Sequence, residues 1–95
     1  YNGSDILVAS GYAGYAACME KLEKWQEASE FYKKAQKEAP DFVEASNYLY
    51  LAALNAMEVN DFDTAKNLLN KIVEDYKDSQ RERDAKAQLI MIAQK

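Results

Sequence analysis

The spacing of apolar residues along the chain is that of amphipathic helices. In one segment the apolar positions are three or four residues apart, so they trace one face of an α-helix. The same five positions recur 37 residues later, and every one is again apolar. They are Trp25, Ala28, Tyr32, Ala35 and Ala39 in the first segment, and Phe62, Ala65, Leu69, Ile72 and Tyr76 in the second.

The residues that precede these two segments obey the same offset, so the repeating unit is a pair of helices. A third copy begins near Asp78 and ends half-way. We therefore expect a single domain with one repeat at about residues 4–40, a second at about 41–77, and a half repeat or capping helix at about 78–95. The matched positions are Tyr12, Tyr15, Ala16, Met19 and Leu22, then Leu49, Ala52, Ala53, Ala56 and Val59, and in the half copy Leu89, Ile90 and Ala93.

This pattern predicts an all-α chain of five helices. The first three expected helices cover about residues 4–22, 25–39 and 41–58. The fourth starts after residue 60 or 61 and ends near residue 76, and the fifth starts after residue 79 and runs towards the C-terminus. Pro40 ends the second helix, Asp41 is expected to cap the third, and Asn60 or Asp61 the fourth. Because the connections are short, successive helices should pack antiparallel.

Composition and charge exclude several classes of function. The 95 residues carry 12 basic and 16 acidic side chains, a net charge of −4, which argues against a nucleic-acid binder. With no His and 1 Cys, the chain cannot build a Ser-His-Asp site, a Cys/His zinc site or an internal disulfide. We expect neither an enzyme nor a bound cofactor or metal. The longest apolar run, residues 48–57, is too short to insert into a membrane.

The repeat resembles the tetratricopeptide repeat, a helix-turn-helix unit of 34 residues. The resemblance implies a superhelix of antiparallel helix pairs, in which small residues allow close packing and Trp25 and Phe62 fill the open end of each pair. The spacing of 37 departs from the family, and we expect the three extra residues to lengthen the first helix of each repeat. The residues that match family positions are Tyr12, Ala16, Trp25, Ala28, Tyr32, Ala35 and Pro40 in the first copy, and Leu49, Ala53, Phe62, Ala65, Leu69 and Ile72 in the second.

The third helix is apolar nearly all round, because Asn55 alone is polar within residues 48–57. Two interpretations remain open, and they are compatible. The helix is central and covered on both flanks, or part of it forms an exposed apolar groove on the concave face for a partner helix or extended segment. The groove residues would be Tyr50, Leu51, Leu54 and Met57.

Both ends of the array carry unmatched apolar residues. Ile6 and Leu7 in the first helix, and Met91 and Ile92 in the fifth, are expected at the surface. Further repeats or another subunit would cover them; ordinary exposed apolar residues and frayed ends are the alternative. The start at Tyr1 rather than Met favours a piece of a longer protein, and Cys18 is expected to be a small buried residue.

The resemblance implies a protein-interaction or scaffold module with a protein or peptide partner. The alternative is a purely structural spacer or self-association segment of a longer repeat protein. Family members that bind a terminal carboxylate place Lys, Arg and Asn on the inner face, and this chain has almost none there. The compartment stays open between the bacterial cytoplasm and the periplasm, the latter with a membrane-tethered parent protein.

Overall fold

The computed structural model describes residues 3–94, which form five α-helices and, within that range, no β-strand. The prediction of an all-α fold is confirmed. Each helix packs on the next one along the chain, and α3 also contacts α5. α3 is therefore covered by parts of α2, α4 and α5. The helices are α1 (Gly3–Lys21), α2 (Trp25–Glu38), α3 (Ala45–Glu58), α4 (Phe62–Asp75) and α5 (Gln80–Ala93).

The offset of 37 residues is present in the backbone as well as in the sequence. Glu23 in the α1–α2 turn and Asn60 in the α3–α4 turn both have a φ of 60°, in the left-handed region. The hydrogen bonds of the two turns correspond as well, so the two helix pairs are joined in the same way. Backbone N–H groups of Glu23 and Lys24 donate to Glu20 and Met19 (2.9 and 2.8 Å), and those of Asn60 and Asp61 donate to Met57 and Ala56 (3.0 and 2.9 Å).

Many of the buried residues are alanines, and these small residues allow the helices to pack closely. An alanine is a short side chain, so it allows two helices to approach closely, and larger residues fill the space between the pairs. Trp25 and Phe62 are the first residues of α2 and α4, and both are half-buried. Tyr12 is also half-buried. The other predicted packing residues, except Pro40, are buried: Ala16, Ala28, Tyr32, Ala35, Leu49, Ala53, Ala65, Leu69 and Ile72.

The connection between α2 and α3 differs from the sequence-based expectation. The third helix begins at Ala45 rather than Asp41, so the extra residues form a turn and do not lengthen this helix. The ring of Phe42 packs against Tyr48, with centroids 6.5 Å apart, and this contact holds the turn against the helix. Pro40 is exposed, and its carbonyl accepts a hydrogen bond of 2.6 Å from the Tyr76 hydroxyl.

The helix caps confirm one prediction and overturn another. The Asp61 side chain accepts a hydrogen bond of 3.2 Å from the Thr64 N–H, as expected for a residue that caps α4. This bond holds the pKa of the Asp61 carboxyl below its ordinary value. Asp41 is not a cap, because Glu44 precedes α3 and makes no side-chain cap bond.

The outer side of α1 is open. Cys18 is exposed, so the prediction of a buried cysteine is wrong. The reason is that, among the described residues, only the side of α1 with Ala9, Ala16 and Met19 is buried. None of the helices within residues 3–94 is long and apolar enough to span a bilayer.

Candidate functional site

One face of α3 remains partly open to solvent. Leu51, Leu54 and Met57 are half-buried and pack against the core with part of each side chain. They are three residues apart, so they lie on one side of the helix. Together they form the part of the predicted groove that solvent reaches, and we call these three residues the α3 face.

A depression of about 220 Å³ adjoins the α3 face. Its walls come from three helices: Glu20 lies in the last turn of α1, Trp25 begins α2, and the other lining residues belong to α3. The indole of Trp25 and the side chain of Leu54 supply its apolar lining, while Glu20 and Glu58 supply carboxylates. An apolar depression with acidic groups around it suits an apolar side chain that lies next to a basic one.

A hydrogen-bond network fixes one of these carboxylates. Tyr32 donates from its hydroxyl to Glu20 Oε1 (2.8 Å), and Asn55 Nδ2 donates to Glu20 Oε2 (2.8 Å). Asn55 Nδ2 also donates to the carbonyl of Leu51 (2.8 Å). Burial, and then the hydrogen bond to Glu20, raise the pKa of Tyr32 above its ordinary value. The network joins α1, α2 and α3 directly beneath the depression.

Tyr50 does not belong to the open face, so its assignment to the groove is wrong. It is 8% exposed, because α5 covers it. The guanidinium of Arg81 lies over its ring at 4.4 Å, and Gln88 Nε2 donates to its hydroxyl at 3.3 Å. Arg81 Nε also donates to Asn47 Oδ1 (2.9 Å), which ties α5 to the start of α3.

The predicted end residues divide into two groups. Leu7 is 74% exposed and Met91 is 54% exposed, so both lie at the surface. Ile6 is half-buried and packs against the core. The prediction for Ile92 is wrong: it is 6% exposed, because it lies on the side of α5 that joins the core.

A second depression, of about 390 Å³, lies between the α2–α3 and α4–α5 turns, and sequence reasoning missed it. Its lining includes the polar residues Asn47, Asp78 and Arg81, together with Val43, which is 82% exposed. It forms where two turns 35 residues apart in sequence come together, and no local sequence pattern predicts this contact. Among residues 3–94, no three His, Cys, Asp or Glu side chains lie close enough together to hold a metal ion.

Comparison with known proteins agrees with this geometry. Residues 47–79 match a family model described as tetratricopeptide repeat, and this stretch runs from the first turn of α3 through α4 to the turn before α5. No curated protein and no solved structure gave a significant match. The division of the whole chain at residues 40 and 77 stays a prediction. The helix pair α3–α4 is therefore similar to a tetratricopeptide repeat, and proteins with this repeat serve in general as protein-interaction modules.

Proposed function

We propose that this chain binds a segment of a partner protein on the α3 face and in the adjoining depression. The observation that carries the proposal is the alignment of three half-buried apolar side chains, Leu51, Leu54 and Met57, beside the depression that Trp25 lines. A helical or extended segment that presents apolar side chains in a row would bury them along this line.

The charges around the depression define the partner further. Glu58 is exposed, and the Glu20 carboxylate is held in place by Tyr32 and Asn55. A carboxylate that is already oriented binds a cation with less loss of conformational entropy. The net charge of −4 also favours a basic partner. The partner segment therefore carries Lys or Arg next to its apolar residues.

No catalytic role is proposed. Repeats of the tetratricopeptide family are typically interaction modules. The less exposed of the two carboxylates at the depression, Glu20, makes two hydrogen bonds that hold the helices together. A structural carboxylate of this kind supports binding and packing.

The proposal is tested with a library of random 12-residue peptides displayed on phage and selected on the intact chain. Enriched peptides should combine apolar residues with Lys or Arg. Leu54→Asp should weaken the binding of these peptides at least about tenfold, which is 1.4 kcal/mol. Val43→Asp, at an exposed apolar position outside the site, is the matched control and should bind normally.

Circular dichroism must show normal helicity for Leu54→Asp. If that variant unfolds, Leu54 belongs to the core, and the proposal for this residue fails. Glu58→Lys then provides a second test, because Glu58 is exposed and can be replaced without loss of packing. Selected peptides that bind Glu58→Lys and the unmodified chain equally well would contradict the proposed contribution of the Glu58 carboxylate to binding.

The alternative is a spacer or self-association segment of a longer repeat protein. Exposure of Leu7 and Met91 at the two ends of the array favours it. Light scattering as a function of concentration distinguishes the two functions. Self-association that Leu7→Asp or Met91→Asp abolishes, without any peptide selected by the α3 face, would support the alternative. A stable monomer that binds no apolar dye would contradict both.

A further inference from the structure

The depression of about 220 Å³ beside the α3 face lies between the two helix pairs and not at an end of the array. Its walls belong to α1 and α2 of the first pair and to α3 of the second. A further repeat adds to an end of a stacked array, so it does not fill a depression between two pairs that are already in contact. Pockets for drug-sized molecules measure about 300–1,000 Å³. This smaller depression fits one long side chain.

Asn55 holds an unused hydrogen-bond acceptor at this depression. It is one of the lining residues and is 2% exposed, and its Oδ1 has no hydrogen-bond partner among residues 3–94. Its Nδ2 donates to Glu20 and to the carbonyl of Leu51, so exchange of the two amide atoms would place Oδ1 against a carboxylate. A buried acceptor without a donor costs free energy. Asn55 therefore lacks a donor that the described chain does not supply.

Arg81 shows how this chain binds a guanidinium elsewhere on α3. The guanidinium lies over the Tyr50 ring at 4.4 Å. Its Nε donates to Asn47 Oδ1 (2.9 Å), and its Nη1 donates to a carboxylate oxygen of Asp84 (2.8 Å). One guanidinium is thus surrounded by an aromatic ring, an asparagine Oδ1 and a carboxylate.

The depression contains the same three kinds of group, and among the described residues no basic side chain lines it. Trp25 supplies the aromatic ring, Asn55 the unpaired Oδ1, and Glu20 and Glu58 the carboxylates. We propose that an arginine of the partner segment binds here, with its guanidinium against the indole and its N–H groups directed to the carboxylates and to Asn55 Oδ1. This inference rests on the proposed function of the α3 face and identifies the residue that anchors the partner.

Arginine suits these groups better than lysine. The guanidinium has five N–H donors in one plane, so it can donate to two carboxylates while its face stacks on an aromatic ring. A lysine ammonium is a compact and strongly hydrated charge with three donors. The Glu20 carboxylate is oriented before the arginine arrives, because each of its oxygens already accepts one hydrogen bond. Asn55 Oδ1 is closed to solvent in the free chain, so its bond forms as neighbouring side chains move.

A second copy of this chain is a poorer source of the arginine. The chain has two arginines, and Arg81 is already bound to α3. Arg83 is exposed, but its neighbours Glu82 and Asp84 are acidic and would approach the carboxylates of the depression. Two copies that each carry a net charge of −4 also repel each other. A different protein with arginine beside apolar residues fits the site better.

Trp25 reports on the depression directly, because it is the only tryptophan of the chain. The intact chain is titrated with the N-acetyl amides of arginine, lysine and citrulline, and Trp25 fluorescence and backbone amide NMR signals are recorded. The arginine derivative should bind with a Kd in the millimolar range and at least about fivefold more tightly than the lysine derivative. The citrulline derivative, which has the shape of arginine without its charge, should not bind.

Glu58→Gln should weaken the binding of the arginine derivative at least about threefold, because it removes one exposed carboxylate from the depression. Glu74→Gln in α4 is the matched control, since Glu74 is also exposed and the charge lost is the same. It should leave the binding unchanged. Equal affinities of the arginine and lysine derivatives, or equal effects of the two variants, would overturn the inference.

The inference and the proposed function of the α3 face can fail separately. If phage-selected peptides bind the α3 face and their arginines can be replaced by lysine without loss of affinity, the inference is wrong and the proposed function stands. If no peptide is selected and the arginine derivative does not bind, both are wrong. Concentration-dependent dimerisation that Arg83→Ala abolishes would also overturn the inference, because it would assign the depression to a second copy.

Discussion

The Tyr32 hydroxyl donates a hydrogen bond of 2.8 Å to Glu20 and thereby joins α2 to the C-terminal part of α1. Tyr32 is 4% exposed, and burial together with this bond raises its pKa above the ordinary value of 10.0. The folded state therefore holds the phenolic proton more tightly than the unfolded state does. Glu20 also accepts a hydrogen bond from Asn55 of α3, so its carboxylate connects the two helix pairs.

The raised pKa of Tyr32 predicts a loss of stability in alkali. The stabilisation is complete below pH 10, where the tyrosine is protonated in both states, and it falls as the pH rises above 10 towards the raised value. Between pH 9 and pH 11 the free energy of unfolding should fall by up to about 1.4 kcal/mol more in the natural chain than in Tyr32→Phe. Urea unfolding measures this free energy for the natural chain and for Tyr32→Phe. Equal losses in the two proteins would contradict the prediction.

Glu23 is a place where the chain can be stabilised. It has a φ of 60°, which costs an ordinary L-residue about 1–2 kcal/mol, whereas Asn adopts this region more readily. Asn already occupies the equivalent turn at position 60. Glu23→Asn should therefore raise the free energy of unfolding by about 0.5–1 kcal/mol. Glu27→Asn, in the first turn of α2, is the control and should not stabilise; thermal unfolding of both variants decides.

The close packing of α3 and α4 predicts that Ala65 cannot become larger. Ala65 is 0% exposed, so extra methyl groups must displace neighbouring helices. Ala65→Leu should lower the free energy of unfolding by about 1–3 kcal/mol. Lys66→Leu, on the exposed side of the same helix, should change it by less than about 0.5 kcal/mol. Similar urea midpoints for the two variants would show that the helices are less tightly packed.

Arg81 is expected to hold α5 on α3. Its guanidinium lies over the Tyr50 ring and donates to Asn47, so Arg81→Ala removes two contacts between these helices. The free energy of unfolding should fall by about 1–2 kcal/mol. Amide hydrogen exchange should accelerate in α5 more than in α2. Arg83 is exposed, and Arg83→Ala should leave the exchange of α5 unchanged; an equal effect of the two variants would exclude this role for Arg81.

Local periodicity was sufficient to predict the helices and most of the buried residues. The alanines at 28, 35 and 65 and the leucines at 49 and 69 are buried as their spacing indicates. Asp61 could be recognised as a cap because capping depends on a short-range contact, here with Thr64.

Contacts between distant segments could not be predicted in this way. Burial of Tyr50 depends on Arg81, which is 31 residues away and reaches it only once α5 is in place. α3 starts at Ala45, after a turn in which Phe42 packs against Tyr48, and the capping pattern at Asp41 does not reveal this contact. Cys18 is exposed because no helix precedes α1 in the described structure, and apolar composition alone does not reveal which side of a helix is covered.

The most direct test of the stacked helix pairs is the measurement of proton–proton contacts by NMR in the intact chain. Ser29 of α2 bonds to Ala52 of α3, and the Tyr76 hydroxyl bonds to the carbonyl of Pro40. Nuclear Overhauser effects should therefore connect the side chain of Ser29 with α3, and the Tyr76 ring with Pro40. If the contacts within each helix pair are present but both of these are absent, the pairs do not stack, and the shared core described here is wrong.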